Sequence, residues 1–227
     1  MKKIQLFTVI LLFMFNNLIY SQSSFRIIDS GPKNSFTKTS SGFYRTSSET
    51  SENLKRVHYY EDFNNKAIIF DKDNKKYKIN NFNIDLIQNY FISKINKDSL
   101  FVFSSINKVI INKKEFLKKD NKIYEVLAKG NRLNLEVNFI SSMREEIIDK
   151  LNGKIVKPAH YIIKKEYLLE NKVHGKKIKL KKIKKKLIFN HIEKSLKKQV
   201  QLYVDTNNLS FRKEEDLKNI LNYYNSL

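Results

Sequence analysis

Between about Arg56 and Phe139 apolar and polar residues alternate in short runs, and the breaks between runs are only a few residues long. Ala67-Ile68-Ile69-Phe70 and Lys76-Tyr77-Lys78-Ile79 flank Asp71-Lys72-Asp73-Asn74. Tyr90–Ile95, Leu100–Phe103 and Val109–Ile111 follow, separated by Asn- and Lys-rich stretches. Glu115–Lys118 and Ile123–Ala128 then flank Lys119-Asp120-Asn121-Lys122, and Lys129-Gly130 leads into Leu133, Leu135 and Val137, with Arg132, Asn134 and Glu136 on the opposite face. Side chains along a strand point to alternate faces, and Asn, Asp and Gly suit the backbone of tight turns. A parallel neighbour would need a crossover of a dozen or more residues. The pattern therefore predicts an antiparallel β-meander that coils under its own twist, up to a partly closed barrel or clasp.

The period changes after residue 140. Met143, Ile147, Ile148 and Leu151 share one face of a helix over Ser141–Asn152, Ser142 and Glu145 fit a capping box, and Gly153 fits the position just past a helix end. Beyond Pro158, Tyr161–Leu169 and Lys176–Lys181 read as a hairpin around Asn171–Gly175. In the last forty-odd residues, apolar positions from Ile183 to Val204 recur at helical steps. Asn207-Asn208 breaks the run, and Glu214, Glu215 and Asp216 open a final helix. The expected fold is α+β, one domain over 56–227, with a coiled antiparallel sheet at about 56–181 and C-terminal helices at about 182–227 packed on it.

The first 21 residues predict a destination. Lys2 and Lys3 precede an apolar run, Ile4–Phe15, which Asn16 and Asn17 break, and Ser21 precedes Gln22. This is the order of a secretory signal peptide. A spanning helix needs roughly 20 apolar residues, more than this run supplies. Cleavage after Ser21 leaves 206 residues, enough for a real core. Residues 22–55 are rich in Ser, Thr, Gly and Asn, which predicts a flexible tail with a short strand near Phe25–Ile28. The chain has no cysteine, which excludes an N-terminal lipid anchor on cysteine and any disulfide. A soluble exported protein is expected, in the periplasm or else outside the cell.

The net charge is +21, carried by 44 Lys and Arg against 23 acids. A field of that sign attracts polyanions, although lysine-biased coding produces the same excess without any functional demand. Lys172, Lys176, Lys177, Lys179, Lys181, Lys182, Lys184, Lys185 and Lys186 place nine cations in 15 residues with no acid between them. On a strand, Lys177, Lys179 and Lys181 would form one ridge. Lysine is a point charge without arginine's planar fork, so nucleic acid, anionic lipid or acidic glycan would be held by charge, without sequence readout. A solvated lysine face that keeps the chain soluble is the simpler account.

Chemistry is poorly supported elsewhere. His58, His160, His174 and His191 are too far apart in sequence to form a metal motif, and no HExxH occurs. Asp71–Asn74 lacks the closing residues of a calcium loop and reads as a hairpin turn. There is no GxSxG, and the five glycines are scattered, so no phosphate cradle and no cofactor are expected. The acids of Glu145-Glu146-Asp149 and Glu214-Glu215-Asp216 fit ordinary helix starts.

Three segments carry a resemblance: Tyr59-Tyr60-Glu61-Asp62-Phe63 with Lys66–Phe70, Lys97–Phe103, and Asn208–Leu217 with Asn222-Tyr223-Tyr224-Asn225. Together they resemble a group of small exported proteins of flavobacterial type from Bacteroidota, over residues 57–227. The resemblance implies an envelope compartment and this fold, and brings no catalytic residues. Strands this short and lysine-laden do not suit an outer-membrane barrel, and a helical C-terminus does not resemble a type IX secretion signal. The expected function is a non-enzymatic binding or structural module with an envelope protein or ligand as partner. Polyanion binding at Lys172–Lys186 is the second expectation, and a hydrolase with a dispersed site the third.

Overall fold

Asparagine, far more than glycine, turns this chain. The computed structural model describes residues 57–227 except 72 and 98, together with the backbone of 42–46. The leader, the strand expected near Phe25–Ile28 and most of the Ser/Thr-rich segment lie outside the described residues. Asn112-Lys113 and Asp120-Asn121 each hold two consecutive residues at positive φ. That is a type I′ turn, whose twist matches the strands it joins. Asn74, Asn81 and Asn89 adopt positive φ at other breaks in the same region.

Fourteen strands and three helices form among the described residues. The strands are β1 (Gly42–Thr46), β2 (Ala67–Phe70), β3 (Lys76–Ile79), β4 (Phe82–Asp85), β5 (Tyr90–Asn96), β6 (Ser99–Phe103), β7 (Lys108–Ile111), β8 (Lys114–Lys119), β9 (Lys122–Ala128), β10 (Leu133–Arg144), β11 (Ile147–Ile148), β12 (Ile155–Lys157), β13 (His160–Asn171) and β14 (Lys176–Leu180). The helices are α1 (Lys185–Phe189), α2 (Lys197–Thr206) and α3 (Glu214–Ser226). The fold is α+β and every strand pairing is antiparallel. The meander is divided between two open sheets and does not close as a barrel. One has the order β1-β6-β5-β4, the other β14-β13-β10-β9-β8-β7-β2-β3, and β11-β12 form a small hairpin. β1 lies within the segment read as a tail, where aromatic Gly42-Phe43-Tyr44-Arg45-Thr46 pairs with the edge of β6.

Both sheets and the helices share one core. Phe82, Phe91 and Phe103 of the smaller sheet join Ile69, Val109, Phe116, Leu135 and Leu169 of the larger, with Val200, Leu217, Ile220 and Tyr224 of the helices. The alternation read at Leu133, Leu135 and Val137 is the buried face of β10, and all three are fully buried. Burying a Val or Leu side chain stabilises by about 1.5–3 kcal/mol, which holds this register against a one-residue slip. A strap over 57–65 joins the sheets. The Asn83 amide donates to the carbonyls of Tyr60 (2.9 Å) and Asp62 (2.7 Å) and accepts from the Tyr60 N–H at 3.1 Å. All described residues belong to one compact unit, Phe36–Leu227.

Two sequence expectations need correction. Ser141–Asn152 is not a helix, since β10 continues to Arg144, paired throughout with β13. The β-prone run Tyr161-Ile162-Ile163 supplies backbone partners that outweigh a weak helical preference. A short helix without a surface for its stripe is only marginally stable, and Leu151 is indeed 97% exposed. Gly153, at φ +67, turns the β11–β12 hairpin instead of ending a helix. The apolar run from Ile183 to Val204 is also interrupted. Tertiary bonds pin the break between α1 and α2: the Asn171 amide donates to the His191 carbonyl at 3.1 Å, and Glu193 N–H donates to the Tyr224 hydroxyl at 3.3 Å.

Candidate functional site, a basic cleft beside β13

The lysine cluster divides into two groups once it is folded. Leu180 is buried and Ile178 half-buried on the core side of β14, so Lys177 and Lys179 stand on the outer face. There they meet acids of β13 that lie close in space but not in sequence. Lys177 pairs with Glu170 at 3.2 Å, Lys172 reaches the same carboxylate at 3.0 Å, and Lys179 approaches Glu166 at 3.8 Å. Burial pushes the Glu170 carboxyl up, but bonds from Lys172, Asn134 and Lys177 outweigh it and hold the group at about 2. Its charge therefore masks Lys172 and Lys177 throughout the physiological range. The expected ridge of Lys177, Lys179 and Lys181 is thus a ladder of mixed sign.

Lys176, Lys181, Lys182, Lys184 and Lys186 have no acidic partner among the described residues. Lys185 lies over the rings of Phe189 (5.5 Å) and Phe211 (5.8 Å). At Lys181 the chain leaves the sheet, and the space it vacates beside β13 is a cleft of about 640 Å³. Lys164, Lys165, Lys181, Lys182 and Arg212 line it, with Glu166 as the only carboxylate in the lining and Ile140, Tyr167 and Ile183 as its less polar surface. Glu214, at the start of α3, accepts from Lys165 with both oxygens at 2.8 Å and from the Tyr167 hydroxyl at 2.5 Å. Lys164, Lys181, Lys182 and Arg212 are left without an acidic partner among the described residues.

Sequence reading identified Lys181 and Lys182 and missed Lys164, Lys165 and Arg212. The alternation along β13 could have placed Lys164 beside Glu166 on the outer face. Arg212 precedes α3, and no local pattern points to it. A second cleft of about 630 Å³ lies where the β10–β13 ribbon meets the β11–β12 hairpin. Its Arg144 and Lys157 are balanced by Glu145 and Glu146, so it carries no net preference for either sign.

No protein-family model matches this chain, no curated protein matches it, and no solved structure matches its fold. The cleft therefore has to be understood from its own residues. Among those described, no group of three or more His, Cys, Asp or Glu is placed to hold a metal ion, and no helix is long and apolar enough to cross a membrane. Asp71 makes the expected hairpin turn, its carboxylate accepting from the N–H groups of Asp73 and Lys75, each at 2.9 Å. Tyr59, Lys114 and Glu125 form a phenol–ammonium–carboxylate set, but each is engaged by the other two and the set ties the strap to the sheet.

Proposed function

We propose that this chain is a non-catalytic binding module of the cell envelope and that the cleft beside β13 holds an anionic polymer. One observation carries the reading: three separate segments bring Lys164, Lys181, Lys182 and Arg212 to one cleft without an acidic partner. Unpaired lysines are common on this surface, and what sets these four cations apart is their convergence from distant segments on one cleft whose lining holds a single carboxylate, Glu166. Three of the four are lysines, so affinity should depend on charge and spacing and little on the identity of the repeating unit.

The test is binding of fluorescent inorganic polyphosphate and of heparin across a salt series. Engagement of four or five cations should weaken binding roughly 10²-fold between about 50 and 200 mM salt. Charge reversal at Lys182 and Arg212 should remove most of the affinity, whereas Lys177→Glu, outside the cleft, should leave most of it. Absence of binding at low ionic strength, or equal loss in all variants, overturns the proposal.

Export is part of the same reading, supported by Lys2-Lys3 followed by the apolar run Ile4–Phe15 and by the resemblance to small exported proteins. Protein recovered from the envelope fraction should begin at or near Gln22 on N-terminal sequencing. A chain still beginning at Met1 would contradict it.

A further inference from the structure

The cleft has a backbone component that its charge does not explain. β13 runs from His160 to Asn171, but β14 pairs only with Tyr167–Asn171. Over residues 160–166, β13 has β10 on one side and no paired strand on the other among the described residues. Lys172 donates its N–H to the Arg132 carbonyl, towards β10. Backbone groups of an antiparallel strand point to opposite sides at successive residues. Counting back from Lys172, Tyr161, Ile163 and Lys165 turn their N–H and C=O groups to the open side. Lys181 and Lys182 mark where β14 would have continued.

An open edge normally invites another copy of the same chain, and lysines beside it are a common deterrent. Here the deterrent is selective. A second copy of the chain from Gln22 carries +19, the +21 of the full sequence less Lys2 and Lys3, and brings its own cations to the edge, whereas a strand bearing carboxylates is drawn to it.

We propose that the ligand of this cleft is an extended acidic peptide that adds to β13 as a strand, continuing the line of β14. Its backbone pairs with Tyr161, Ile163 and Lys165, and its carboxylates meet Lys164, Lys181, Lys182 and Arg212. Main-chain bonds supply affinity and alternate side chains supply selectivity, as in other strand additions. The proposal rests on the cleft reading and goes beyond it, because a polyphosphate or glycan can satisfy the charges but not the edge.

The experiment uses the chain from Gln22 onward and three probes at low ionic strength. They are a peptide alternating Glu and Val, the same peptide N-methylated at alternate residues, and polyphosphate. The plain peptide is expected to bind and to slow hydrogen exchange at the amides of Ile163 and Lys165. N-methylation removes the donors facing the edge and should cost about tenfold or more in affinity. If both peptides bind equally, or bind without protecting those amides, strand addition is wrong and the anion cleft survives. If polyphosphate binds and neither peptide does, the ligand is a non-peptide polyanion. If no probe binds, both proposals fail. A concentration-dependent dimer that the plain peptide fails to dissociate would assign the edge to a second copy.

Discussion

Gly130→Ala is expected to lower the unfolding free energy by about 3 kcal/mol or more. A methyl group at this position would lie 2.5 Å from Asn225 Nδ2 and 2.6 Å from Asn225 Cβ. The obstacle is a close approach, since this glycine does not have the left-handed backbone of Gly153 and Gly175. Asn225 cannot retreat cheaply. Its carbonyl accepts from the N–H groups of Arg132 (3.2 Å) and Leu133 (2.9 Å), and its amide donates to the Leu133 carbonyl at 2.9 Å. These bonds dock the end of α3 on the β9–β10 turn. Forcing extra atoms into a filled site costs about 1–3 kcal/mol, and a buried backbone group stripped of its partner costs a similar amount. Urea denaturation should show a lower midpoint at unchanged slope. Asn225→Ala breaks the same contact, so the double variant should be little less stable than the worse single one. Additive losses would show that the two residues do not share the contact.

Tyr59→Ala is expected to cost about 3–5 kcal/mol, and Tyr59→Phe about 1–3 kcal/mol. The difference separates packing from the hydroxyl. The ring meets Tyr60 at 4.8 Å, Phe116 at 4.9 Å and Phe139 at 5.3 Å, all edge to face. Its N–H donates to Ile84 of the smaller sheet at 3.0 Å, and its hydroxyl donates to Glu125 of the larger at 2.7 Å. Lys114 donates to the same hydroxyl at 2.8 Å and pairs with Glu125 at 3.1 Å. Glu125 is 3% exposed, so loss of the phenol leaves a buried carboxylate with one donor fewer.

The same site sets an alkaline limit on stability. Burial, then the bond to Glu125, pushes the Tyr59 phenol far above its usual value of 10, and burial with the Glu125 charge pushes Tyr60 up to about 12. Both are raised in the folded state. Their contribution is complete below pH 10 and is lost as pH rises through 10 towards 12 and beyond. Tyr59→Phe should flatten that loss in pH-dependent thermal melts. An unchanged alkaline profile would rule out Tyr59 as the group responsible.

The strands were legible because alternation is a local signal that the tertiary structure also obeys. β2, β3, β8, β9 and the first part of β10 follow it, with Asn- and Asp-rich turns between them. The second part of β10 was not legible. Met143, Ile147, Ile148 and Leu151 fit a helical stripe as well as a ribbon, and partner strands made the decision, β13 for Met143 and β12 for Ile147 and Ile148. The strap was hidden for a similar reason. Nothing near Tyr59 and Tyr60 announces that Asn83 and Glu125 will receive them. At the cleft, the run of lysines was visible, but its division into masked and unmasked groups was not.

Composition and pattern alone determined an α+β chain with antiparallel strands, C-terminal helices, no disulfide and a strongly basic surface. Those properties depend on neighbours in sequence, where spacing fixes which side chains share a face. The split into two sheets, the Asn225 dock and the pairing of Lys172, Lys177 and Lys179 with Glu166 and Glu170 were decided only by the tertiary structure. So was the convergence of Lys164, Lys181, Lys182 and Arg212 at an open strand edge. Each depends on which distant segments come within bonding distance, and a charge acts according to what faces it across that distance.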